Sequence, residues 1–249
     1  AETRQQLRQR VMHALIYPTI LTVLAVVIVS GLLVYVVPQV VGVFENTGQE
    51  LPGLTSALIA MSDFLRDHGG VLLIILIVFG FALRRILKQP GPRRRYHQLL
   101  LRLPLIGRLT RGINTARFTR TLSMLAGSGV PVLEALRISG EVVNNIPMRE
   151  AIEETSLRVR EGAPIGASLG ASRLFPPMTM HLISSGEASG ELENMLERAA
   201  VNQEREVDSL ISTMLSILEP ALILAMGAMV LIIVLAILMP IFELNQLVS

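Results

Sequence analysis

Residues 219–242 read EPALILAMGAMVLIIVLAILMPIF, and the interpretation of this stretch decides the fold. No charge falls between Glu219 and Glu243. A bilayer core of roughly 30 Å is crossed by about 20 apolar residues in helical form. Within hydrocarbon a lone segment satisfies its backbone only as a helix, so the stretch reads as a membrane span. Working outward, an uncharged run also extends from Ala14 to Phe44, far longer than a signal-peptide core and closed by no cleavage motif. A shorter run, Gly69 to Leu83, is followed by Arg84 and Arg85, whose long stems can snorkel to the interface. Three spans are therefore expected, within residues 15–41, 69–87 and 211–242.

Composition agrees with a membrane chain. Of 249 residues, 51% are hydrophobic and only 17% charged, above and below the soluble average respectively. Cys is absent, which excludes disulfides and thiolate metal sites. The net charge of +2 conceals an asymmetry. Arg4, Arg8 and Arg10 precede the first span, whereas the loop at residues 42–68 sets Arg66 against Glu45, Glu50, Asp63 and Asp67. After the second span, Arg84 to Arg120 contains no acid at all. The positive-inside rule then puts the N-terminal flank and residues 88–210 in the cytoplasm, and the loop and tail 243–249 in the periplasm. For the basic run itself, contact with anionic lipid headgroups is favoured over docking of an acidic partner.

Between the second and third spans no strand-like alternation occurs. Helical spacing does: Phe118, Leu122 and Leu125; Met148, Ile152, Thr155 and Val159; Leu192, Leu196 and Ala199. Breaks are expected at Gly127 to Pro131, Asn144 to Pro147, Gly162 to Pro164 and Phe175 to Pro177. Short connections of this kind imply a compact bundle of antiparallel helices, so the fold class is all-α. In the loop, Leu54, Leu58, Met61 and Leu65 form one apolar stripe, expected as a short helix on the membrane surface.

The first and third spans repeat each other. Tyr17-Pro18 opens one and Pro38 closes it; Glu219-Pro220 opens the other and Pro240 closes it, with a Pro-to-Pro spacing of 20 in both. If a helical domain precedes the third span, a copy of it is expected before the first. Residues 1–14 are then its last turns. Glu219, at the cytoplasmic end of a span, is expected to face protein or water rather than lipid.

Two glycine corners stand out. In the first, Gly127 and Gly129 suit a helix C-terminus and Pro131 the first turn of the next helix. A phosphate loop is a poor alternative, since Gly-Lys-Ser/Thr and a preceding strand are both missing. In the second, Gly190 is expected as an N-cap, with Glu191 and Glu193 favouring the following helix dipole. Between Gly186 and Gly190 lies Glu187, expected as a tie within the bundle ahead of a direct partner contact.

Taken together, Gly127 to Leu136, the Asn144-Asn145 pair, Phe175-Pro176, Gly186 to Gly190, Tyr17-Pro18 and Glu219-Pro220 resemble the F family of type II secretion systems. That family also includes the inner-membrane platform of type IV pilus assembly. The resemblance implies two copies of a six-helix cytoplasmic domain, of which this chain holds the second. It implies an inner-membrane platform beneath a growing pseudopilus, with the secretion ATPase, neighbouring inner-membrane components, pilin-like subunits and further copies of itself as partners. The shared motifs leave secretion and pilus assembly unseparated.

Other classes find little support. His13, His68, His97 and His181 are scattered without ligand spacing, and no nucleophile or dinucleotide motif occurs. Neither a cofactor nor catalysis is expected. A small permease would need polar residues on several spans, yet only Glu219 is ionisable near one. The basic run has just two aromatics, Tyr96 and Phe118, so nucleic acid is not an expected partner.

Overall fold

The computed structural model describes the backbone of residues 53–248 and, before them, residues 16, 19–20, 22–24, 26–28, 30–31 and 35. All regular structure among the described residues is helical. Eight helices follow from residue 53: α1 Gly53–Ile86, α2 Pro90–Arg102, α3 Pro104–Gly127, α4 Val132–Glu141, α5 Ile146–Arg160, α6 Ile165–Ala171, α7 Pro177–Ser189 and α8 Leu192–Val248. The chain divides into two compact units, Ala1–Phe81 with Thr213–Ser249, and Ala82–Ser212.

In the first unit the apolar side chains from Val71 to Phe79 lie on the surface. A patch of that size is at home only against lipid or protein. Among the described residues two helices, α1 and α8, are long and apolar enough to cross a membrane. The first expected span lies largely outside the described residues, as do Tyr17, Pro18 and Pro38.

One expected element is absent from the described residues. The stripe at Leu54 to Leu65 does not belong to a separate short helix, because α1 runs unbroken for 34 residues, about 51 Å. Gly69 and Gly70 weaken a helix without ending it when the flanking turns are strong formers. Pro220 and Pro240 both lie inside α8, which continues for 57 residues. A proline removes one backbone donor and crowds the preceding turn, which apolar helices tolerate when the rest of the ladder holds.

The second unit is a set of helices packed around one core. Prolines start its helices: Pro90, Pro104 and Pro177 in the first turn, Pro131 and Pro164 one residue before it. Glycines end them. Gly129 has φ 75°, its N–H donates to Ala126 O, and that of Val130 donates to Leu125 O, a Schellman closure. Gly162, with φ 93°, closes α5 in the same way through Ala163 N–H to Arg158 O. From α2 to α7 successive helices pack on one another, and α2 also meets α5.

Phe118, Leu122, Leu136, Met148, Ile152, Leu169, Ile183 and Leu196 are fully buried in one core, so the three helical stripes face inward as their spacing requires. Phe175, in the connection before α7, stacks obliquely on Phe118 with ring centroids 5.9 Å apart. The N-terminal part of α8 runs antiparallel to α3: Val207 lies beside Gly112, and Glu193 beside Gly127.

Candidate functional site

The second glycine corner is built around a helix that cannot cap itself. α6 has seven residues and follows Pro164, which offers no capping side chain. Its first N–H groups would be orphaned. Glu187, from α7, supplies both acceptors: Oε1 accepts from the N–H of Ile165 at 2.6 Å, and Oε2 from that of Gly166 at 2.8 Å. The approach is possible because Gly166 is bare; a Cβ there would come within 2.9 Å of Ser184 N. Glu187 therefore ties α7 to the start of α6.

The glycines flanking it act for two different reasons. At Gly186 a Cβ would lie 2.8 Å from Met195 Cβ and 3.0 Å from Leu192 Cα, so its role is the close crossing of α7 and α8. Gly190 has φ 74° and open space around it, and it ends α7 in the left-handed conformation. It is not the N-cap of the following helix that its place before Glu191 suggests. The carbonyl of Glu191 accepts the first bond of α8, from Met195 N–H at 3.1 Å. Glu193 does lie in the first turn of α8.

The first corner divides similarly. Gly129 takes the left-handed conformation, while Gly127 is the last residue of α3, where a Cβ would meet Glu193 Oε1 at 2.7 Å. Pro131 precedes Val132 as the N-cap residue rather than entering the first turn. The structure thus brings the two corners together through Glu193. Glu219 and Pro220 lie in α8, with the side chain of Glu219 outside the described residues.

A polar knot, invisible as a motif, fastens α2, α3 and the α4–α5 turn. Asn114 Oδ1 accepts from the N–H groups of Asn144 and Asn145, at 2.9 and 3.3 Å. Asn145 caps α5 by accepting from Met148 N–H, and its Nδ2 donates to His97 O. His97 Nδ1 accepts from Ile146 N–H at 3.1 Å. Burial, then the cations of Arg93 and Arg149, hold the His97 imidazole below its ordinary range. The Asn144-Asn145 pair signalled a turn, but nothing in the sequence paired it with Asn114.

Two further ties join α8 to the bundle. Arg120 forks onto Glu204, with Nε to Oε1 at 2.8 Å and Nη2 to Oε2 at 2.6 Å. Hydrogen bonding to Glu204 raises the Arg120 guanidinium against a smaller effect of burial. Thr179 Oγ1 donates to Gln203 Oε1 at 3.1 Å in the interior. The arrangement can clamp helices in register. Among the described residues no group of three His, Cys, Asp or Glu is placed to hold a metal.

Residues 118–240 match the family described as type II secretion system (T2SS), protein F. The chain is 48% identical over 248 residues to the type II secretion system protein F of Aeromonas hydrophila, covering 100% of this chain and 64% of that protein. It is 45% identical over 249 residues to the protein of the same name from Vibrio cholerae serotype O1, with coverage of 100% and 61%. Against the type IV pilus assembly protein PilC of Thermus thermophilus, identity is 37% over 243 residues, 97% of this chain and 60% of that protein. The chain spans less than two thirds of the length of these relatives. Likeness along its whole length, and a matched segment that takes in both glycine corners, make this chain a member of the type II secretion system protein F family.

Proposed function

We propose that the chain is the platform part of an inner-membrane component of a type II secretion system, coupling the cytoplasmic secretion ATPase to pseudopilus assembly and so to export across the outer membrane. One observation carries the choice of system. Identity is 45–49% with proteins named for type II secretion, and 29–37% with those named for type IV pilus assembly. The helical clamp supports a scaffold, because its polar groups are spent on holding helices rather than left convergent on a cleft. In this reading the chain has no catalytic role. It crosses the membrane three times, at residues 15–41, 69–87 and 211–242, with a six-helix type domain at 88–210 in the cytoplasm. Its partners are the ATPase, other inner-membrane secretion components, pilin-like subunits and further copies of itself.

A deletion of the coding region in the organism that makes the chain tests the proposal. Export of secreted proteins should stop while type IV pili still assemble, and photo-crosslinking in native membranes should capture the secretion ATPase. The pilus reading is favoured in turn by the 97% of this chain that aligns with PilC of Thermus thermophilus. Loss of pili with normal export would establish it.

A further inference from the structure

The elbow between α2 and α3 presents an apolar tip with a basic rim. Gly107 draws the first turn of α3 hard against the end of α2, where a Cβ would lie 2.5 Å from Leu101 O. Arg111 Nη2 donates to that same carbonyl at 2.9 Å. The closure turns Leu103, Leu105 and Ile106 outward; Leu105 is 58% exposed and Ile106 43%. Along α2, Leu101 and His97 face inward, and the opposite face carries Arg95, Leu99 and Arg102 at helical spacing. Arg108, three residues after Leu105 on the same face of α3, is exposed as well.

Arg95, Arg102 and Arg108 have no carboxylate partner among the described residues. Of the basic residues from Arg84 to Arg111, only Arg94 has a carboxylate partner among the described residues, Glu150. The next acid in the chain is Glu134. An exposed leucine-rich face bordered by arginines is the pattern of a helix lying in the membrane interface, where apolar side chains enter the acyl boundary and guanidinium groups meet phosphates. The chain offers such a surface within reach: α1, long and apolar enough to cross a membrane, ends at Ile86, and the elbow follows after the 13 residues of α2, about 20 Å of helix.

We propose that the α2–α3 elbow docks on the inner leaflet, with Leu103, Leu105 and Ile106 inserted and Arg95, Arg102 and Arg108 bound to anionic lipid headgroups. The proposal rests on the membrane anchoring of the proposed function and adds a second, lipid-dependent contact that would fix the bundle against the membrane.

The chain has no Cys, so single cysteines can be introduced into the full chain and labelled with an environment-sensitive dye. Labels go at Leu105, at Ile77 in α1, and at Leu157, which is 57% exposed on α5. Leu157 lies about 16 Å along α5 from the end that meets α2. The labelled chains are reconstituted in nanodiscs of phosphatidylcholine with or without phosphatidylglycerol, some of the lipid carrying a doxyl quencher. With phosphatidylglycerol, the Leu105 label should be quenched several-fold more than the Leu157 label. Arg102→Glu with Arg108→Glu should bring it down to the Leu157 level without altering helicity. Equal quenching at Leu105 and Leu157 would overturn the proposal, and quenching unchanged in neutral discs would overturn its anionic component. A Leu105 label shielded from water yet unquenched would mean that protein, such as a second copy, covers the tip, which also overturns it. An unquenched Ile77 label would instead sink the anchoring on which both readings stand.

Discussion

Replacing Glu187 by Gln keeps the shape and one carbonyl oxygen, so only one of the N–H groups of Ile165 and Gly166 retains an acceptor. Hydrogen bonds to a charged group contribute more than neutral ones, and the site is partly buried, so the loss should be about 1 to 2 kcal/mol. It is read as a lower melting temperature of the purified chain in detergent. A mutant with unchanged melting but lost crosslinking to its partners would move Glu187 from tie to contact residue. Gly186 and Gly190 looked alike in the sequence, yet their substitutions should separate. At Gly190 the strain is conformational, about 1 to 2 kcal/mol for Ala, and Asn, which tolerates the left-handed region, should recover most of it. At Gly186 the obstacle is Met195 and the backbone of Leu192, so Asn should be worse than Ala. His97 supplies the pH dependence. Its folded pKa lies below the unfolded value of about 6.5, so the unfolded chain binds more protons in the window between them. The contribution is complete above about pH 6.5 and is lost as pH falls through the lowered folded value. Melting should therefore drop on acidification through that window, and His97→Gln, which keeps an acceptor for Ile146 N–H without titrating, should show a shallower drop.

Helix ends were legible because their chemistry is local. Gly129, Gly162 and Asn145 fall where a left-handed residue or a capping side chain was needed, and four expected breaks between residues 127 and 177 separate helices in the structure. Helix continuity was not legible, because it is decided by the sum of many turns. Pro220 and Pro240 mark a span in the sequence but end nothing in α8, and the Gly69-Gly70 pair does not divide α1. Ties between helices, such as Asn114 with Asn144 or Arg120 with Glu204, were out of reach because their partners are 30 and 84 residues apart. Glycine packing gives a test at this scale. Gly107→Ala sets a Cβ against a fixed carbonyl in the elbow, whereas Gly127→Ala meets only the flexible end of Glu193. Overpacking against backbone costs about 1 to 3 kcal/mol, so Gly107→Ala should lower the melting temperature well beyond Gly127→Ala. Equal effects would mean that the elbow relaxes freely.

For the whole molecule, orientation across the membrane is the property on which every partner assignment depends. Asp67–Ile86 offers a span whose two ends are charged oppositely. Up to its start, residues 42–68 carry four acids against one arginine, Arg66. At its other end come Arg84, Arg85 and Lys88, then the arginines of α2 and α3. Short segments rich in Lys and Arg stay on the cytoplasmic side, and acids add little either way, so residues 42–66 should lie in the periplasm and the bundle in the cytoplasm. Alkaline phosphatase folds only where disulfides form, which makes it a reporter for the periplasm. Gly162 is a suitable fusion point for the bundle, because it sits in a left-handed turn after α5 with no neighbour within 4 Å of where its Cβ would be. Gly48 serves for the other side and lies outside the described residues. Fusion at Gly48 should be active and fusion at Gly162 inactive. The reverse would put the basic run outside the cell, away from both the anionic inner leaflet and the secretion ATPase, and would remove the platform reading together with the elbow contact.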